Sequence, residues 1–255
     1  MPFFGVRSVL ITGAAAGIGL ATARLLLADG VSVIGVDRDP LPDLSSGFLG
    51  IQADLADPAQ ITEAMEQALH AKPDLDGLVN CAGIYPVTPM MELDPSEWDA
   101  VLAINLRAPF LVTQAVARHW RTAEGGCRVV NVASTAAVLA RPGVAHYAAS
   151  KAGLVQLTKV MAVELAPLGI QVNAVAPGLI ATAKVLAHAE GTGAKEHSAK
   201  LARIPSQREG TPEEVARAIR WLLSDDASYA TGAVLTLDGG FTLGIPAYGP
   251  AIPDH

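Results

Sequence analysis

At 255 residues, 51% of them hydrophobic and 17% charged, the chain is long enough to bury roughly three quarters of its unfolded surface in a single core. That charge content is below the roughly one quarter usual for a soluble domain, so part of the surface is expected to be covered by other subunits. The net charge of -7 excludes nucleic acid and anionic membrane as natural partners, since both are bound through an excess of Lys and Arg, and favours a small molecule.

The opening "MPFFGVRSVLITGAAAG" is too short in its apolar run for a secretion signal, and Arg7 follows the first apolar residues instead of preceding them. From there, short β-branched runs alternate with helical patterns, the rhythm of βαβ units and a parallel sheet. Strands are predicted at 6–12, 31–37, 48–54, 75–83, 127–134, 170–178 and 233–240, and helices at 17–29, 57–71, 95–118, 145–166 and 211–223. Continuous apolarity in the strands implies burial on both faces. "DPAQ", "DPSE" and "TPEE" each set a capping side chain before Pro and a polar or acidic residue, which starts a helix. No run reaches the roughly 18 uninterrupted apolar residues of a membrane span. Cys81 and Cys127 form neither a CxxC pair nor a disulfide framework, so the expected compartment is the reducing cytoplasm. The whole chain, 1–255, reads as one domain. Residues 182–205 form a polar, Gly-broken insertion at a strand end, where ligands bind in parallel sheets, and are expected to act as a lid. The tail, 241–255, is rich in Gly and Pro.

The first strand runs into "TGAAAGIG", with Gly13, Gly17 and Gly19 ahead of a helical pattern. Glycines let the backbone turn sharply and approach a diphosphate, while the helix N-terminus attracts its charge. The G-x-x-x-G-x-G spacing departs from the G-x-G-x-x-G fingerprint and is weak by itself. Eighteen residues after Gly19 the next strand ends on Asp37, near the distance at which a carboxylate accepts from the adenine ribose hydroxyls. A carboxylate there repels a 2′-phosphate and favours NAD over NADP, although Arg38 beside it can pair with a phosphate. Asp54 and Leu55 follow the third strand and "NCAG" (80–83) the fourth, facing the same crevice. Each has a simpler reading, Asp54 as a turn cap and Asn80 as a tie between strands.

In "HYAASKAGLV", Tyr147 and Lys151 are four residues apart and stack on one helical face. A phenol titrates near 10, and a neighbouring ammonium stabilises the phenolate, so the pair suggests a base with a lowered pKa. Ser134 ends the fifth strand thirteen residues earlier and can hold a substrate oxygen. Asn105 is an amide in an apolar helical face, which needs a partner: the backbone, a site water, or both. The six histidines and two cysteines show no spacing for a metal.

Taken together and in order, "TGAAAGIG", Asp37, "DL" at 54–55, "NCAG", Asn105, Ser134, "YAASK" and "PGLIAT" resemble the short-chain dehydrogenase/reductase family from about Val6 to Gly240. The resemblance implies a doubly wound Rossmann fold with a seven-stranded parallel sheet and NAD(H) or NADP(H) as cosubstrate. It implies a catalytic tetrad of Asn105, Ser134, Tyr147 and Lys151. Tyr147 and Lys151 would also contact the cofactor, Lys151 at the nicotinamide ribose, and Asn105 would order a water linking Lys151 to solvent. The cofactor would further meet Gly13, Gly17, Ile18, Gly19, Asp37, Asp54, Leu55, Asn80, Ala82 and Gly83. Pro177 and Gly178 would lie against the nicotinamide, with the Ile180 backbone and the Thr182 hydroxyl on its carboxamide. A homotetramer packed through 95–118 and 145–166 is implied as well.

The expected walls, "IYPV" (84–87), "TAAVLARPGVA" (135–145) and the lid, are mostly small and apolar. A neutral, largely apolar and possibly cyclic secondary alcohol or its ketone is therefore expected. Arg141, or Lys184, Lys195 and Lys200 of the lid, offer a carboxylate site as the alternative. The rival within the family is a 3-oxoacyl carrier-protein reductase using NADPH, and the rival outside catalysis is an NAD-binding regulator.

Overall fold

A computed structural model describes residues 5–44, 46–121, 126–190 and 194–244. Seven parallel strands form one sheet: β1 (Ser8–Thr12), β2 (Ser32–Asp37), β3 (Phe48–Gln52), β4 (Gly77–Asn80), β5 (Cys127–Val132), β6 (Ile170–Pro177) and β7 (Val234–Leu237). Their spatial order is β3-β2-β1-β4-β5-β6-β7. The chain winds outward from β1 to β3, then returns to β4 on the other side of β1. The crevice left at the carboxyl ends of β1 and β4 is where an open parallel sheet takes its ligand.

Helices cover both faces, as the strands' all-round apolarity requires. On one side α2 (Pro58–Ala71), α4 (Ala108–Trp120) and α5 (Ala145–Leu165) cover a core containing Leu10, Ile34, Leu78, Val129 and Val172. On the other, α1 (Gly17–Ala28) and α8 (Pro212–Leu222) pack together over Val9, Ile11, Val33, Val79 and Val175. The helix starts are those the Pro-containing signals predict: Asp57 accepts from the Ala59 amide, Asp94 from the Ser96 amide, and Thr211 with Glu214 closes a capping box.

Three predicted elements change shape. The strand expected at 75–83 ends at Asn80, because the next two amides leave the ladder to bond the buried Thr12 hydroxyl. The helix expected at 95–118 is α3 (Pro95–Leu102), a π-turn (Ala103–Arg107) and α4. Pro109 causes the interruption: it has no N–H to give Asn105 four residues back, and the ladder relaxes by one residue. The insertion at 182–205 forms two helices, α6 (Ala183–Glu190) and α7 (Ala194–Leu201), while 191–193 lie outside the described residues. So do 245–255, most of the tail. The Pro95–Trp120 helix, 26 residues with a window of mean hydropathy 1.5, is long and apolar enough to cross a membrane by those measures. Here Ala108, Val112, Val116 and Trp120 are instead packed into the core.

A side chain at Gly19 would begin 2.0 Å from the Gly13 carbonyl oxygen, whereas one at Gly30 would meet nothing within 4 Å. Gly19→Ala is therefore expected to destabilise by at least about 3 kcal/mol. Gly30→Ala, whose only strain is a φ of +82°, should cost about 1–2 kcal/mol, both read by urea unfolding.

Candidate active site

The turn after β1 is shaped for a diphosphate. Gly13 and Gly17 have φ of +72° and +55°, and a side chain on Gly13 would begin 2.8 Å from the Ala82 backbone. The α1 N-terminus has Ala16 at its cap with no side-chain acceptor, so its first amides face the turn without an internal anion. Ile18 packs inward on the α1 side of the core. Asp37 reaches across from β2, one carboxylate oxygen accepting from the Ala15 amide at 2.9 Å and the other from the Asp39 amide at 3.0 Å. It thus orders the Gly-rich turn, and each oxygen keeps a lone pair for a ribose hydroxyl. Arg38 pairs with Asp39 at 3.7 Å, both largely exposed.

Other predicted contacts are more restricted. Asp54 accepts from the Ala56 amide at 2.9 Å, the turn-capping role, and the Leu55 side chain is in the core, leaving only its backbone at the crevice. The Asn80 amide donates to Asn131 at 2.8 Å and Thr113 at 3.0 Å, inside the protein. Asn80 thereby ties β4 to β5 and α4. Gly178 lies where a side chain would begin 2.8 Å from Asp238, at the end of β6 beyond Pro177. The Ile180 side chain is buried, its carbonyl accepts from the Thr182 amide at 2.8 Å, and its main chain bridges to Gly210. The Thr182 methyl lies 3.4 Å from where a side chain on Gly17 would begin, bringing the root of α6 onto the dinucleotide turn.

The four tetrad residues converge beside this crevice. Lys151 is 4% exposed, donates to the Val132 carbonyl at 2.7 Å, and has its Nζ 5.8 Å from the Tyr147 ring centroid. Ser134 caps a short 3-10 turn, accepting from the Ala136 amide at 3.1 Å, and hydrogen-bonds Tyr147. Asn105 is fully buried, its amide nitrogen donating to the Ile84 carbonyl at 2.8 Å and its oxygen accepting from the Ile84 amide at 2.9 Å. Both ends of the amide therefore serve the backbone. A side chain at Gly83 would begin 3.3 Å from the Asn105 oxygen and 3.6 Å from Lys151 Nζ, a close fit where this segment crosses the site.

The electrostatics correct one expectation. Burial pushes the Tyr147 phenol above its ordinary value, opposed by the Ser134 hydrogen bond and the Arg141 charge. The Lys151 ammonium, 5.8 Å from the ring centroid and directed at the Val132 carbonyl, does not reverse that direction. Burial in turn pulls Lys151 down from 10.5 to about 8.

A family profile described as Enoyl-(Acyl carrier protein) reductase matches residues 13–242. The chain belongs to the short-chain dehydrogenase/reductase family. It is 40% identical to 3-oxoacyl-[acyl-carrier-protein] reductase FabG of Thermotoga maritima, over 92% of this chain and 97% of that one. It is 39% identical to cis-4-hydroxycyclohexanecarboxylate dehydrogenase of Sinomonas cyclohexanicum, over 94% and 98%. The structure of 3-ketoacyl-(acyl-carrier-protein) reductase from Brucella melitensis complexed with NADH superposes with a TM-score of 0.83 at 31% identity, over 92% and 98%. This member of the family is accordingly an oxidoreductase of CH–OH groups with a nicotinamide dinucleotide as acceptor.

Two features of the site were not read from the sequence. Thr12, at the end of β1, holds the Cys81 and Ala82 amides at 3.1 and 3.2 Å; a hydroxyl closing the apolar run Val9–Ile11 is the one signal for it. Tyr85, expected only as a wall, meets the Tyr147 ring edge-on with centroids 6.2 Å apart. Because Tyr147 stays protonated and Lys151 keeps its charge only up to about pH 8, ketone reduction should show flat kcat/KM to that point and decline above it. Alcohol oxidation should rise with pH below it, as the phenolate fraction grows about tenfold per unit; initial-rate profiles in both directions check this.

Proposed function

We propose that the protein interconverts a secondary alcohol and a ketone with NAD(H), through the tetrad Asn105, Ser134, Tyr147 and Lys151. The observation that carries this reading is the hydrogen bond between Ser134 and Tyr147 with the buried Lys151 ammonium beneath the same ring. A nicotinamide dinucleotide fits the residues present: a glycine cradle without room for side chains, an uncapped helix N-terminus and a carboxylate at the end of β2. Gly13, Gly17, Ile18 and Gly19 would hold its diphosphate, Asp37 its adenosine ribose, and Asp54 with Leu55 its adenine. Asn80, Ala82, Gly83, Tyr147 and Lys151 would border the nicotinamide ribose, and Pro177, Gly178, Ile180 and Thr182 the carboxamide. When bound, it supplies the hydride acceptor in oxidation and the hydride donor in reduction.

The chain's own residues manage the proton. Ser134 donates to and orients the substrate oxygen, and Tyr147 gives its phenolic proton to that oxygen in reduction or takes it in oxidation. Lys151 places positive charge where the phenolate develops, the kind of fixed electrostatics that usually carries most of the rate. Asn105 positions the Ile84 backbone over the pair. NAD is favoured because a 2′-phosphate would face Asp37, while Arg38 already has Asp39. Exposed Val87, Val138 and Leu186 suit a largely apolar substrate, and the half-buried Arg141, near enough to act on the phenol, suits one that also carries an acidic group.

The FabG relative favours a second reading, reduction of a carrier-bound 3-oxoacyl chain. α6 and α7 would close over the substrate as the lid. We further propose a cytoplasmic homotetramer: a groove of about 780 Å³ lined by Leu102, Leu106, Phe110 and Leu157 offers a face to another copy, and Cys81 and Cys127 are free thiols.

Purified protein is to be screened with secondary alcohols, ketones and a 3-oxoacyl thioester against NAD(H) and NADP(H), read at the nicotinamide absorbance. Tyr147→Phe is expected to remove turnover by at least about a hundredfold and leave NADH affinity unchanged; joint loss of both would make Tyr147 structural. Asp37→Ala is expected to narrow the NAD preference by about tenfold or more, and a wild type preferring NADP would overturn the role given to Asp37.

A further inference from the structure

A buried imidazole beside the tetrad has no part in the reaction outlined above. His146, the residue before Tyr147 in α5, is fully buried, and its Nε2 lies 2.9 Å from Oε1 of the Glu97 carboxylate. The same oxygen accepts from the Thr88 hydroxyl at 2.7 Å. These bonds, that of Thr88 first, hold the Glu97 carboxyl below its ordinary value. An ionised carboxylate can only accept, so the imidazole hydrogen lies on Nε2. The other ring nitrogen, Nδ1, is buried without a hydrogen-bond partner among the described residues, which leaves the Glu97 bond to orient the ring.

Glu97 serves distant segments in place of its own helix. At the same position of α8, Glu214 reaches back to the amide of its cap, Thr211, at 2.8 Å and closes a capping box. In α3 the cap Asp94 bonds the Ser96 amide and hydroxyl at 2.8 and 2.6 Å, and the Glu97 carboxylate turns to Thr88 and His146.

Three segments meet at that oxygen. Thr88 ends the wall whose Ile84 is held by Asn105 and whose Tyr85 ring stands edge-on to Tyr147. Its amide donates to the Gly143 carbonyl at 2.9 Å, where the second wall crosses the first. The fit there is tight: Gly143 has a φ of +77°, and a side chain on it would begin 2.8 Å from Val87. His146 and Tyr147 follow within one turn of chain.

We propose that Glu97 is a positioning residue for proton transfer: by holding Thr88 and His146 on one oxygen, it fixes the substrate wall at 84–88 relative to the Tyr147 hydroxyl. This deepens the reading given above and rests on Tyr147 as the proton-transfer group. A shift of about 1 Å between reacting groups costs up to about a hundredfold in rate, so a tie one residue from the phenol acts on kcat.

Reduction of cyclohexanone and of the acetoacetyl thioester of N-acetylcysteamine is measured at saturating NADH, with NADH affinity read by fluorescence titration. Glu97→Ala is expected to lower kcat about tenfold or more and to leave NADH affinity within about twofold of wild type. Glu97→Gln, whose amide oxygen can accept both hydrogens, is expected to restore kcat to within about threefold. Thr88→Val frees the wall alone and is expected to raise KM about threefold or more with a smaller change in kcat; in the Glu97→Ala background it should add less than about twofold, since the shared partner is gone. Wild-type kcat in Glu97→Ala, a Gln variant as impaired as the Ala variant, or an equal effect of Thr88→Val in both backgrounds overturns the proposal. So does a joint loss of NADH binding and turnover, the mark of a merely structural role.

Hydrogen exchange of peptides covering 84–90 and 144–150 decides the matter if neither ketone turns over or Glu97→Ala does not fold. Thr88→Val is expected to speed exchange in both peptides, the second through Glu97, and Glu97→Gln in neither; unchanged exchange at 144–150 in Thr88→Val overturns the proposal. A Tyr147→Phe variant with wild-type turnover overturns the underlying reading and this inference with it, whereas an inactive Tyr147→Phe beside a fully active Glu97→Ala sinks this inference alone.

Discussion

The Asn105 amide grips the Ile84 backbone at both its N–H and its C=O, and the substrate side of the sheet takes its shape from that pair of bonds. They hold the chain leaving β4 close to Lys151 at Gly83 and carry Tyr85 against Tyr147. The grip depends on a backbone accident made useful. Pro109 withholds one helical N–H, the helix widens into a π-turn, and Asn105 sits within that turn with its side chain fully buried. A buried amide with both ends satisfied is rigid, since any shift would leave a polar group without a partner.

Beneath that clamp, burial acts on both titrating groups in the direction of the neutral form. The phenol is raised and the ammonium lowered, so the two move apart in proton affinity and no ion pair forms between them. Lys151 bonds a carbonyl and Tyr147 a hydroxyl, both neutral partners. Below about pH 8 the resting site therefore holds the positive charge of Lys151 beside a neutral phenol. That arrangement suits an acid–base group that has to work in both directions.

On the far side of the crevice the dinucleotide turn is held from several strands at once. Gly13 bonds the Val36 carbonyl at 2.8 Å, Asp37 bonds Ala15, and Thr12 gathers the two amides that leave β4. Thr182 then closes the front by packing on Gly17. The root of α6, the turn and the β4 exit meet in one place, so movement at any of them is felt by the other two.

Most of the architecture was legible in the order of residues. Local backbone chemistry writes itself there: apolar β-branched runs, Pro-containing caps and glycine turns are properties of consecutive residues, and the seven strands and main helix starts follow from them. The side chains singled out by the resemblance in "YAASK", Ser134 and Asn105 lie near one another in the fold. What the order of residues could not disclose were pairings between distant segments. Thr12 with the β4 exit, Tyr85 with Tyr147, and Asn80 with Asn131 and Thr113 join residues with no local signal for one another. The direction of the Tyr147 shift belongs to the same class, because desolvation depends on the whole surrounding shell, whereas the Tyr-x-x-x-Lys spacing records only one neighbour.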